Sequence, residues 1–81
     1  MQRISSKLDD AGHLKMLGAA LRQYRRDQGW SQEALAYATG IDRSHMGRIE
    51  RGERNLTILN LVRIADALKC PPSKLLILAG M

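Results

Sequence analysis

Residues 30–52 read Trp30-Ser31-Gln32-Glu33-Ala34-Leu35-Ala36-Tyr37-Ala38-Thr39-Gly40-Ile41-Asp42-Arg43-Ser44-His45-Met46-Gly47-Arg48-Ile49-Glu50-Arg51-Gly52, and two short helices with a tight turn between them are written in that run. Ser31 carries a hydroxyl able to accept from the unpaired amides of a helix start, and Glu33 follows where the helix dipole favours a negative charge. Leu35, Ala36 and Thr39 face inward, and Gly40 ends the helix. After a turn of about three residues Asp42 caps the next one, a spacing typical of paired helices. Met46 and Ile49 form its buried side, and Gly52 closes it.

The flanks are helical too. Upstream, Leu14, Leu17, Leu21 and Tyr24 recur at three- and four-residue steps, one apolar stripe that Gly29 terminates. Downstream, Thr57 caps a helix whose core stripe is Ile58, Leu61, Ala65 and Leu68. Pro71 and Pro72 break it and start a last helix, where a missing amide does no harm. No alternating apolar pattern suggests a strand. The expected fold is all-α, a compact five-helix bundle containing a helix-turn-helix over residues 13–81. Residues 1–12, which lack periodicity, read as a mobile arm.

Composition narrows the function. A chain of 81 residues supports a single core and leaves little for a deep catalytic cleft. Thirteen Lys and Arg against eight Asp and Glu give a net charge of +5, which points to polyanions, nucleic acid before acidic membrane. The single Cys70 excludes an internal disulfide and, with two isolated His, a zinc site of ordinary spacing. It reads as a small apolar residue in a reducing compartment. No Gly-x-Ser-x-Gly, phosphate loop or metal cluster argues for an enzyme. The aliphatic run Leu75 to Ala79 is far too short to span a membrane. A soluble cytoplasmic protein with no cofactor, metal or small-molecule ligand is expected.

The outward face of the third helix carries the chemistry. Arg43, Ser44, Gly47, Arg48 and Arg51 fall opposite Met46 and Ile49. Arginine donates two parallel bonds to guanine O6 and N7, and serine reaches several base edges. Gly47 in mid-helix costs about 1 kcal/mol relative to Ala, a cost that close approach to DNA would justify. A solvated arginine face with a packing glycine fits the same residues.

The motifs Trp30 to Ala36, Gly40 to Ser44, Ile49 to Gly52, Arg54-Asn55 and Ile64-Ala65-Asp66-Ala67-Leu68 resemble the Xre family, the lambda-repressor-like and Cro-like helix-turn-helix regulators. Within it, the stretch from Gly52 to Thr57 is most similar to controller proteins of restriction–modification systems. The resemblance covers about residues 14–78 and implies roles for single positions. Gln32 would touch a phosphate and brace the recognition helix. Arg43, Ser44 and Arg48 would read bases, while Arg51, Arg54 and Asn55 would hold phosphates. His45 lies beside them, within reach of a phosphate, though a lone exposed His also fits plain solvation. Arg25 and Glu50 match a structural salt bridge that orients the recognition helix. Leu56 replaces a common proline and Lys69 a common glycine, so Lys69 is a candidate for a strained left-handed conformation.

Leu59 and Val62 form a second stripe on the fourth helix, and Leu75 to Leu78 cannot all enter one core. Such surplus marks a partner surface, although a tail that simply seals an aliphatic core fits the same residues. A homodimer with Leu59, Val62, Leu76 and Ile77 in its interface would place two recognition helices about one DNA turn, ~34 Å, apart. A sequence-specific regulator binding double-stranded DNA at an inverted repeat is the first reading. An antitoxin-type protein-interaction module that binds DNA secondarily is the second.

Overall fold

A computed structural model describes residues 5–81 of the chain. Five α-helices follow a 3-10 turn at Ser6–Leu8: α1 (His13–Asp27), α2 (Gln32–Thr39), α3 (Arg43–Glu50), α4 (Ile58–Ala67) and α5 (Pro72–Leu78). No strand occurs among the described residues. The caps sit where the hydroxyl and carboxylate residues predict: Ser31 Oγ accepts from the Ala34 amide, Asp42 from the Ser44 amide and Thr57 from the Asn60 amide. Each satisfies an amide that the first helical turn cannot pair itself.

The core is aliphatic. Leu21, Leu35, Met46, Ile64 and Leu75, one side chain from each helix, are the largest fully buried groups. Around them α1 packs on α3 and α5, α2 on α3 and α4, and α4 on α5. Half-buried Tyr24, Trp30, Leu56 and Cys70 seal the margins. Burial pushes the Cys70 thiol up, partly offset by a hydrogen bond with Tyr24, as suits a residue that packs rather than reacts.

Two features differ from the sequence reading. Ile58, expected in the core, stands 67% exposed, and Ile64 fills the core instead. Ile58 shares the helical phase of Leu61 but occupies the outermost turn of α4, where no neighbour covers it. The arm expected over residues 1–12 lies outside the described residues for 1–4. Its last residues are tied down: Asp9 accepts from the amides of His13 (2.9 Å) and Leu14 (2.7 Å), acting as the cap of α1. The fold also contains a close helix crossing. A Cβ on Gly18 would come within 2.5–2.6 Å of the Glu50 and Ile49 carbonyl oxygens, so α1 and α3 approach to a distance only glycine permits. Lys69 adopts φ 57°, the left-handed conformation its place at the end of α4 anticipates.

Candidate nucleic-acid interface

Helix α3 is held from three sides before any of its exposed residues act. Below it lies the Gly18 crossing. At its C-terminal end Arg25 from α1 clasps Glu50: Nε donates to Oε2 at 2.7 Å and Nη2 to Oε1 at 3.1 Å. The two side chains are only 8% and 2% exposed. The remaining guanidinium nitrogen donates to the Trp30 carbonyl at 2.7 Å, and Gln32 Nε2 donates to Glu50 Oε1 at 3.0 Å. A buried ion pair is tolerable only when its other polar atoms are matched, and no buried side-chain nitrogen or oxygen among the described residues lacks a partner. Bracing α3 from α2 is thus the visible part played by Gln32.

On the outer side, Gln32, Asp42, Arg43, Ser44, Gly47, Arg48 and Arg51 line one open hollow of about 570 Å³ between the start of α2 and α3. Six of these seven positions are polar or charged, and four lie within α3. Arg43, Ser44, Arg48 and Arg51 are exposed, whereas His45 is half-buried. Gly47 lies in the same hollow, on the outward side that the sequence reading gave it, but under the cover of a neighbouring side chain. It is buried, and a Cβ there would lie 3.0 Å from Arg51 Nη1 and 3.5 Å from Gln32 Oε1. The missing side chain therefore makes room for the Arg51 guanidinium, which crosses the helix at that point.

Arg54 and Asn55 follow in the exposed loop. Asn55 belongs to a different depression, about 220 Å³, shared with Leu8, Asp9, His13 and Leu14 at the start of α1. The structure thus gathers Gln32, Arg43, Ser44, Arg48 and Arg51 and sets Asn55 apart.

Two acidic residues that the sequence reading did not place at this site take part: Glu33, read only as a helix-start charge, and Glu53. Glu33 Oε2 accepts from Arg43 Nη1 at 3.0 Å, with both side chains exposed. Glu53 accepts from Arg51 Nε at 2.8 Å and Nη2 at 3.3 Å. Those bonds, followed by the positive field of Arg51, Arg48 and Arg54, hold the Glu53 carboxyl below the usual carboxylate range. Glu53 lies two residues from its partner and was open to local inspection. Glu33 lies ten residues from Arg43, a pairing that no helical spacing announces. Ser44 donates its hydroxyl to Asp42, and this bond, the largest influence, lowers the Asp42 pKa.

A helix-turn-helix family model, HTH_3, matches residues 21–75. The chain belongs to this Xre-like family of DNA-binding transcriptional regulators. Control protein C.SmaI of Serratia marcescens is 39% identical over 67 residues, 83% of this chain and 80% of that protein. HTH-type transcriptional regulator SutR of Escherichia coli (strain K12) is 40% identical over 57 residues, 70% of this chain but 32% of SutR, so the chain spans less than a third of that relative. The crystal structure of the restriction–modification controller protein C.AhdI from Aeromonas hydrophila superposes with a TM-score of 0.75 at 44% identity, covering 76% of this chain and 94% of that one. In this helix-turn-helix chain, α2 and α3 are the motif's two helices. No helix among the described residues is long and apolar enough to cross a membrane.

Proposed function

We propose that this helix-turn-helix protein acts in the cytoplasm as a homodimeric controller of a restriction–modification system, binding an inverted-repeat operator. The observation that carries the reading is the hollow on α3: exposed Arg43, Ser44 and Arg48 on a helix locked to the body by Arg25, Glu50 and Gln32. A rigid helix with exposed fork donors suits base reading in a major groove. Ser44 donates its hydroxyl hydrogen bond to Asp42, which leaves the hydroxyl oxygen as an acceptor for a base amino group. Arg51, Arg54 and Asn55 serve the sugar–phosphate backbone, and Gln32, at the start of α2, adds a phosphate contact to its bracing role. His45 stands beside them at the groove edge.

Residues 13–81 form the binding domain in this reading, with residues 1–12 an arm that Asp9 fastens to the start of α1 and with α5 a dimerisation helix. Leu59 and Ile77 are 72% and 67% exposed, more apolar surface than a small monomer comfortably shows. Val62 and Leu76 are half-buried beside them in sequence, and Leu76 also packs on the core. Selection from random duplexes, combined with sedimentation of the protein–DNA complex, tests the proposal. Two half-sites about one turn apart, with two chains bound, are expected. One chain on one half-site removes the dimer. No sequence enriched over random removes the DNA-reading role and favours the antitoxin-type interaction module.

A further inference from the structure

The arginines of the α3 face do not all stand ready for DNA. Arg51 lies back across the helix over Gly47, with Nη1 at the position a side chain there would crowd. Its Nε and Nη2 are both directed onto the two oxygens of Glu53. A carboxylate presents a guanidinium with the same paired acceptors as a phosphate. Arg48 and Arg54 contribute to the field around that carboxylate, so Glu53 sits where the base-reading side of α3 passes into Arg51 and Arg54, the arginines that backbone phosphates would meet. We propose that Glu53 is a built-in phosphate surrogate: it parks Arg51 over Gly47 in the free protein, and DNA must displace it to engage that guanidinium. This rests on the reading of α3 as the DNA-binding face.

Two ion pairs of the same composition behave differently here because of burial. Arg25–Glu50 is buried and matched on all sides, a permanent brace. Arg51–Glu53 is more than half exposed on both partners, and exposed pairs are worth little in water. It is therefore weak enough for a phosphate to replace and strong enough to tax every encounter. The consequence is a protein that binds random DNA less tightly than its thirteen Lys and Arg alone suggest, which favours release from wrong sites.

The test uses the full chain and a short duplex of scrambled sequence, titrated at several salt concentrations. Glu53→Gln should tighten binding by about three- to tenfold at low salt, the scale of one lost exposed pair and one lost like-charge repulsion. The salt dependence should steepen by up to about one ion, since Arg51 then neutralises a phosphate without bringing a carboxylate along. Asp66→Asn, on α4, changes the net charge equally and controls for long-range attraction; it should shift binding by less than about twofold. In an Arg51→Ala background the gain from Glu53→Gln should fall below about twofold, because the guanidinium through which it acts is gone. Equal gains with and without Arg51, or equal effects of Glu53→Gln and Asp66→Asn, overturn the surrogate role while leaving the DNA-binding face intact. A wild-type chain weakened by Arg51→Ala but unmoved by Glu53→Gln does the same. No binding of any duplex by any of these chains sinks both readings. Unchanged thermal melting of Glu53→Gln, expected for an exposed loop residue, excludes a folding effect.

Discussion

Glu50 is the residue on which the orientation of α3 turns. It accepts from Arg25 twice and from Gln32 once, all in a nearly dry setting. Removing it strands a guanidinium that is only 8% exposed. Breaking one side of a buried pair commonly costs about 3–5 kcal/mol, and a domain has only about 5–15 kcal/mol in all. Glu50→Ala should therefore melt far below the wild type, and calorimetry reads that directly. Melting within a few degrees of wild type together with lost DNA binding would move Glu50 from the frame into the contact surface. Gly18 belongs to the same frame, since its missing Cβ lets the α3 carbonyls sit against α1.

At the scale of elements, the proposed function divides the arginines between base reading on α3 and phosphate holding just beyond its end. Arg43 and Arg48 stand on the exposed side of the helix, while Arg51 and Arg54 lie at its end and beyond. Loss of a base contact costs about 1–3 kcal/mol and relaxes choice at one base pair, whereas loss of a phosphate contact weakens all sequences alike. Arg43→Ala should narrow the affinity gap between selected and scrambled duplexes, with Arg48→Ala following in the same direction. Arg54→Ala should lower both affinities together and reduce the salt slope by about one ion. Titrations on both duplexes separate the two patterns, and a full specificity ratio in Arg43→Ala would show that α3 is not the reader. The end of α4 makes a simpler prediction. Lys69 holds φ 57°, a conformation that costs a side-chain-bearing residue about 1–2 kcal/mol. Glycine avoids that strain but gives back some unfolded-state entropy. Lys69→Gly should stabilise the chain by about 1 kcal/mol, seen as a melting point about 4–8 °C higher. An unchanged or lowered melting point would mean that the turn carries no strain.

For the whole molecule, the question is what covers the apolar residues that the core leaves outside. Ile58, Leu59, Ile77, Leu78 and Met81 are all exposed. If Leu59 and Val62 enter a two-fold contact, each contributes about 1.5–3 kcal/mol on leaving water, and the symmetry of the contact counts each twice. Replacing them together, Leu59→Glu with Val62→Lys, should convert dimers to monomers in sedimentation while leaving the bundle folded by circular dichroism. A double variant with unchanged dimer dissociation would place the contact elsewhere.

The amino-acid sequence alone determined where α2, α3 and α4 start, where α2 stops, and which family motif the chain carries. Caps at Ser31, Asp42 and Thr57 and the stop at Gly40 act within one turn of chain, so their consequences are local and can be read in order. The apolar stripes likewise assigned most of the core, since helical phase is set by spacing. Tertiary structure alone decided which members of a stripe are covered. Ile58 and Ile64 both fit the phase of Leu61, yet one is exposed and the other fully buried, because cover depends on where neighbouring helices end. It also brought Glu33 to Arg43 across ten residues. That pairing arises from how α2 crosses α3, and the crossing is set by packing summed over the whole core rather than by any stretch of sequence.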